Sequence, residues 1–258
     1  MPFSKSASAQ IPGWLTSQPI AHRGLHDLQG GIAENSLSSF QKAIDADIAI
    51  EFDVHLSSDG HPVVFHDATL QRVAADPRHL ADVTAAELQS LNLSGFTDTI
   101  PLLSTALEMV DGRVPLVIEI KAASPKNRKK LVHAIWKTLE TYSGPFAIQS
   151  FDPFVLIEFR KIAPHVLRGQ LATKSAPDHL SFQKRMIIRH MLLNRFSRPH
   201  YIGYDIKHIA QSSVQRAVKP GMLLLAWTVD SMADLATAKQ YADNIIFEKL
   251  PLELIRKR

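Results

Sequence analysis

The stretch AIEFDVHLSSDGHPVVFHD, residues 49–67, is two apolar runs split by a turn. Glu51 and Asp53 alternate inside the first run, so an extended backbone points both carboxylates to one side. A buried strand keeps two ionisable groups on one face only for a purpose, because burying charge is costly. His66 and Asp67 close the second run. The connection SSDG is too short for a parallel crossover, so one of the two runs is a broken strand or a hairpin extension.

Similar runs recur along the chain. They are PIAHRG (19–24), PLVIEIK (115–121), FAIQSF (146–151), VLRGQL (166–171), YIGYDI (201–206), LLLAWTV (223–229) and NIIFE (244–248). Amphipathic stretches lie between most of them: SLSSFQKAIDAD with Leu37, Phe40 and Ile44 on one stripe, KNRKKLVHAIWKTLETY, and DPFVLIEFRKIAP. Strand–helix alternation along the whole chain predicts a parallel sheet with helices outside it. With the stretch above, the candidates number nine, one more than a closed (β/α)8 barrel needs. Residues 67–102 contain no clear strand and read as a small insertion after the third strand, with a short helix near TAAELQSL. No repeat and no linker divides the chain, so residues 1–258 are expected to form a single domain.

Polar residues concentrate at the ends of the apolar runs. His22 and Arg23 end the first, Glu119 and Lys121 the PLVIEIK run, Gln149 and Ser150 the FAIQSF run, Trp227 and Thr228 the LLLAWTV run. In a (β/α)8 barrel these ends converge on one mouth. Three carboxylates in a half-buried pocket do not all stay ionised without a cation, and oxygen ligands suit a hard divalent ion, Mg2+ or Ca2+. Two histidines supply a general acid and a general base. Arginine and lysine suit an anion gripped at two points. The set fits phosphoryl chemistry. There is no Walker loop, no GxGxxG and no nucleophile elbow. His26, His55, His61 and His133 read as surface or packing residues.

Composition limits the alternatives. The chain has 258 residues and no cysteine, which excludes disulfides, thiolate metal sites and thiol nucleophiles. A net charge of +4 is mild and does not indicate a nucleic-acid binder. The N-terminal stretch lacks an apolar core for a signal peptide and no segment is long enough to span a bilayer, so a cytoplasmic location without stable membrane insertion is expected. The first dozen residues and the tail IRKR are expected to be loosely held. Six of the basic residues fall between Lys174 and His200, against one acid, Asp178. Within that segment Phe182, Met186, Arg189, Leu193 and Phe196 follow helical spacing. This predicts an outer barrel helix over 182–196, with contact to an anionic membrane surface as the alternative.

The sequence also resembles the glycerophosphodiester phosphodiesterase family, from His22 to about Leu252. The segments that carry the likeness are AHRG, AENS, IEFDVHLSSDGHPVVFHDATLQR, IPLLSTALEMV, VIEIK, QSF and AWTVD. The resemblance implies a (β/α)8 barrel and a divalent cation on Glu51, Asp53 and Glu119. It implies His22 and His66 as the acid/base pair and Arg23 and Lys121 on the phosphate. Glu34 would orient Arg23 or the metal's water, and Trp227 would line the pocket. The expected substrate is a small glycerophosphodiester, cleaved to glycerol 3-phosphate and an alcohol such as choline or ethanolamine. A lysophospholipid-directed phospholipase D on the same scaffold is the nearer alternative, and a non-catalytic phosphodiester-binding protein the more distant one. The sequence departs from the family pattern at Ala33, in the long loop GLHDLQGG (24–31), and at Phe247–Pro251, departures that bear on the alcohol pocket.

Overall fold

The computed structural model of the protein describes residues 11–121, 124, 126–175 and 182–255. The strands are β1 (Ile20–His22), β2 (Ala49–Leu56), β3 (Pro62–Val64), β4 (Leu116–Ile120), β5 (Phe146–Ser150), β6 (Leu167–Ala172), β7 (Tyr201–Asp205), β8 (Leu223–Val229) and β9 (Asn244–Phe247). Each coincides with one of the apolar runs. Eight of them are parallel, ordered β1-β2-β4-β5-β6-β7-β8-β9, and β9 pairs back onto β1. The ring is a closed (β/α)8 barrel.

The surplus strand is β3. It pairs antiparallel with β2, Val54 facing Val64, and stands outside the ring. The SSDG connection is a hairpin turn in which Gly60, at φ +90°, donates to Ser57 O. This corrects the placement of His66 and Asp67 at a barrel-strand end. Strand β2 continues past the mouth, and β3 returns the chain toward it. The Phe65 N–H donates to Asp53 O at 3.0 Å, so His66 arrives from above at the height of Asp53.

Residues 67–102 carry short helices at Gln71–Ala74 and Ala85–Leu88 and a 3-10 turn at Leu80–Asp82, but no strand. Their apolar side chains, including Leu70, Val73, Leu80 and Leu88, form a separate cluster with Ala33, Val63 and Phe65. The insertion is thus pinned to the β2–β3 hairpin and to the loop after β1.

Helices α1 (Leu37–Asp45), α2 (Leu103–Val110), α3 (Arg128–Leu139), α4 (Pro153–Ile162), α5 (Phe182–His190), α6 (Ser212–Ala217) and α7 (Met232–Tyr241) surround the barrel. Helix α1 starts at a reciprocal serine cap: Ser36 accepts from Ser39 N, and Ser39 Oγ accepts from Ser36 N. Such a cap stabilises a helix by about 1 kcal/mol, and here it also fixes the two residues before it, Glu34 and Asn35.

The basic segment is not one helix. Helix α5 ends at His190, Met191 takes φ 51°, and a separate short helix covers Asn194–Ser197. The stripe from Phe182 to Phe196 is therefore broken, and both of those phenylalanines are exposed. Among the described residues no helix is long and apolar enough to cross a membrane. The expectation for the two termini falls mostly outside the described residues, but Ile255 of the tail is buried.

The barrel interior explains where the site lies. Ile20, Ala49, Val117, Ala147, Leu167, Tyr201, Leu225 and Ile246, one from each barrel strand, pack into an apolar floor. Side chains two residues further along a strand face the same way one pleat higher. In chain order those residues are His22, Glu51, Glu119, Gln149, Gly169, Gly203, Trp227 and Glu248. One pleat above the floor the barrel becomes polar.

Candidate active site

The metal candidates meet as expected. Glu51, Asp53 and Glu119 are buried, and each offers a carboxylate oxygen within 4.8 Å of the others. Two cations sit among them. Lys121 Nζ is 2.7 Å from Glu119 Oε1 and 2.8 Å from Asp53 Oδ1, and Arg23 Nε is 3.4 Å from Asp53 Oδ2. Burial, with Asp53 and Glu119 alongside, pushes the Glu51 carboxyl well above its usual range. Burial also raises Glu119, against the pull of Lys121. Burial would raise Asp53 too, but Lys121, His66 and Arg23 together hold it well below the usual range. Arg23 is shared with Glu34, so the cations present do not balance the carboxylates gathered here. Asp53 Oδ1 is buried and its ion pair with Lys121 lacks hydrogen-bond geometry. A buried cluster of three carboxylates that its cations do not balance fits a hard divalent cation.

Local backbone holds these groups in place. After β1 the chain turns through Arg23 at φ 56° and Gly24 at φ 78°. A Cβ on Gly24 would collide with Ser39 Oγ, so the turn requires glycine. The turn directs the Arg23 N–H to Glu51 Oε2 at 3.2 Å. Asn35, buried at φ 55°, clamps Asp53 reciprocally: its Nδ2 donates to Asp53 Oδ2 at 2.9 Å, and its Oδ1 accepts from Asp53 N at 3.3 Å. Below, Tyr201 O–H donates to Gln149 Oε1, and Gln149 Nε2 donates to Glu51 Oε1 at 3.3 Å. Gly169 makes room for the Tyr201 ring, which a Cβ there would strike.

Each histidine stands on a carboxylate. His22 Nδ1 lies 3.1 Å from Glu248 Oε2 and His66 Nδ1 lies 2.5 Å from Asp67 Oδ1. A carboxylate only accepts, so both Nδ1 atoms carry the hydrogen and both Nε2 atoms are left to exchange a proton. Burial lowers the His22 pKa against the pull of Glu248, and burial is also the main reason that His66 falls to about 4. In the free protein both shifts favour the neutral ring. His55 Nε2 donates to His66 O at 3.0 Å, so His55 supports the backbone of His66.

A charged chain links the two halves of the site. Asp67 accepts from Arg72 Nε at 2.6 Å. Arg72 also holds Glu34 with two bonds at 2.7 and 2.9 Å, and Glu34 accepts from Arg23 at 2.7 Å. Burial alone would raise Glu34, but Arg72 and Arg23 bring it down to about 2. Glu34 thus orients Arg23, as one of its two sequence readings has it.

Phe151 and Trp227 meet edge to face, with ring centroids 5.4 Å apart. The buried Trp227 Nε1–H has no acceptor among the described residues. His22, Arg23, Glu51, His66, Glu119, Lys121 and Trp227 line one cavity of about 100 Å3. Asp53 lies within reach of it and Glu34 just behind Arg23.

Three positioning residues escaped the reading of the sequence: Asn35, Arg72 and Glu248. The first two fall in the quoted segments AENS and IEFDVHLSSDGHPVVFHDATLQR, so attention to polar residues there would have found them. Glu248 lies in a segment that departs from the family pattern, and its partner is 226 residues away. His26 also approaches Glu248, at 3.4 Å, and is no plain surface residue.

Comparison with known proteins agrees with this geometry. Residues 22–247 match the model of the glycerophosphoryl diester phosphodiesterase family. A glycerophosphodiester phosphodiesterase of Caldanaerobacter subterraneus subsp. tengcongensis is 30% identical over 92% of this chain and 97% of its own. An Oleispira antarctica phosphodiesterase, solved in complex with the product sn-glycerol-3-phosphate, superposes with a TM-score of 0.76 at 25% identity, covering 93% of this chain and 96% of its own. A Parabacteroides distasonis glycerophosphodiester phosphodiesterase has the same fold, with a TM-score of 0.74 at 24% identity over 92% of this chain and 95% of its own.

Proposed function

Because the chain belongs to the glycerophosphoryl diester phosphodiesterase family, a family of phosphoric diester hydrolases, we propose that it hydrolyses glycerophosphodiesters to glycerol 3-phosphate and an alcohol with the aid of one divalent cation. The observation that carries this reading is the convergence of Glu51, Asp53 and Glu119 with two carboxylate-backed histidines in one cavity. Glu51, Asp53 and Glu119 would hold Mg2+ or Ca2+. When bound, such an ion neutralises the non-bridging phosphate oxygens and stabilises charge as the P–O bond breaks. Arg23 and Lys121 grip the phosphate, and Trp227 Nε1–H offers a donor to a substrate oxygen. One histidine, neutral, takes the proton of the attacking water or glycerol 2-hydroxyl at Nε2, and the other enters the step as the imidazolium and gives its Nε2 proton to the leaving alkoxide, ending neutral. Glu248 and Asp67 keep each ring in the tautomer this needs. The 67–102 insertion belongs to the same catalytic unit, since it supplies Asp67 and Arg72.

A second reading, cleavage of lysophospholipids, is favoured by the rim. Among the described residues, five of the seven exposed large apolar side chains, Leu28, Phe154, Phe182, Met232 and Leu254, stand on segments that leave the C-terminal ends of barrel strands. The test is release of glycerol 3-phosphate from glycerophosphocholine by the purified protein, with lysophosphatidylcholine in parallel. Release from the water-soluble diester is expected. Turnover of the lysophospholipid alone would favour the second reading, and turnover of neither would contradict both.

A further inference from the structure

A second, larger cavity opens beside the first. It measures about 380 Å3, shares Lys121 with the catalytic cavity, and lies between the β2–β3 hairpin, the insertion and the start of α3. Its position follows from the pleat. His55 is on the same face of β2 as Glu51 and Asp53, one step nearer the rim. Lys121 stands in the same relation to Glu119, and its N–H continues the ladder to Val54 O at 3.1 Å. Both His55 and Lys121 line the larger cavity, which therefore begins directly above the acidic cluster.

At 100 Å3 the catalytic cavity is well below the roughly 300–1,000 Å3 of a typical small-molecule site. It has room for the phosphate and a few atoms around it, so one half of a diester must lie outside. The cavity of about 730 Å3 by Leu25 and Leu250 shares no lining residue with it, whereas the 380 Å3 cavity shares Lys121.

Its chemistry selects what it takes. Beside His55 and Lys121 it presents His79, Asp82, Asn127 and Lys130 over a floor that includes Leu80 and Leu131. No Phe, Tyr or Trp lines it. A quaternary ammonium is recognised on aromatic faces, and here it would meet two lysines against one carboxylate. The side chains of His79, Asp82, Asn127 and Lys130 are exposed on its walls, free to exchange water for a ligand. Together they offer donors, an acceptor and groups that do both, which is what a run of hydroxyls requires.

Building on the diesterase reading above, we propose that this cavity receives the alcohol half of the substrate and that the preferred alcohol is a polyol, glycerol or inositol in kind, and not choline. Lys130 and Asp82 set that preference without touching the reacting atoms. The test compares kcat/KM of the metal-supplied enzyme for glycerophosphoinositol, glycerophosphoglycerol and glycerophosphocholine, in the wild type and in a Lys130→Gln/Asp82→Asn variant. The wild type should favour the two polyol diesters at least about tenfold, as expected where a site's polar groups would go unpaired with the wrong ligand. The variant should lose most of that preference through a higher KM for the two polyol diesters, with Tm and circular dichroism like those of the wild type, which report an intact fold. Equal or better turnover of glycerophosphocholine by the wild type would overturn the proposal. So would a variant that keeps the preference, or one that loses activity equally on all three. Failure of the wild type on every diester would instead overturn the diesterase reading, and the proposal with it.

Discussion

Arg72 offers the sharpest test of the link between insertion and barrel. It reaches Asp67 and Glu34 with three bonds of 2.6–2.9 Å, yet about half of its side chain is exposed. Exposed ion pairs stabilise a fold by about 1 kcal/mol at most, so Arg72→Met should lower Tm by no more than about 2–4 °C in a chain of this size. The effect on turnover should be far larger. Without Arg72, Asp67 loses the group that orients it under His66, and Glu34 loses its second partner beside Arg23. Loss of such supporting contacts around a metal site typically costs about 10–100-fold in activity. The fall should appear in kcat, because the proton-handling group is displaced while the phosphate grip remains. Arg72→Lys keeps the charge but not the fork, and should fall between the two. The assay is steady-state hydrolysis of a glycerophosphodiester at saturating metal, with thermal unfolding of the same samples. An Arg72→Met enzyme with near-normal kcat would refute the linkage, and so would one whose loss of activity merely tracks a loss of folded protein.

Three further outcomes are expected. His22→Ala and His66→Ala should each reduce kcat by at least ~10² with smaller changes in KM, and a variant retaining near-normal kcat would return that histidine to a packing role. Glu248→Gln keeps an acceptor for His22 but removes the charge, so kcat should fall by about tenfold, and unaltered kcat would detach Glu248 from the chemistry. His200 gives a pH test away from the site. Its Nδ1 accepts from Arg168 N at 3.1 Å, and burial, with Arg168 near, lowers its pKa to about 4. The neutral ring is favoured in the fold, so its contribution is complete above about pH 6.5 and is lost as pH falls toward 4. After solvent screening that is about 1–2 kcal/mol. The Tm difference between wild type and His200→Gln should therefore shift against the wild type over that window, and a pH-independent difference would contradict the assignment.

The sequence made much of this legible because a strand has a strict period of two. Alternation of Glu51 with Asp53, and of Glu119 with Lys121, is visible without a structure and translates directly into one face at one mouth. Helix α1 is announced by its apolar stripe, while its Ser36 cap emerged only from the structure. The hairpin was half legible. SSDG excludes a parallel crossover, but whether β2 or β3 is the barrel strand depends on the closure of the ring, a property of all strands together. His66 was therefore expected at a barrel-strand end, whereas it follows the outer strand β3 and reaches the same cavity from there. The partners of the histidines were least legible. Asp67 adjoins His66 in sequence, whereas Glu248 meets His22 only because β9 closes onto β1. Arg72 sits on a four-residue helix whose orientation is set by the insertion's own apolar cluster, and no local pattern encodes that.

The central claim is that the acidic cluster works on a phosphodiester through a bound cation. The most direct measurement is glycerol 3-phosphate release from a glycerophosphodiester before EDTA treatment, after it, and after addition of Mg2+ or Ca2+, in the wild type and in Asp53→Asn. The account predicts activity that is lost on chelation and restored by one of the two ions in the wild type, and neither present nor restored in Asp53→Asn. Full activity of the chelated wild type in metal-free buffer would contradict it.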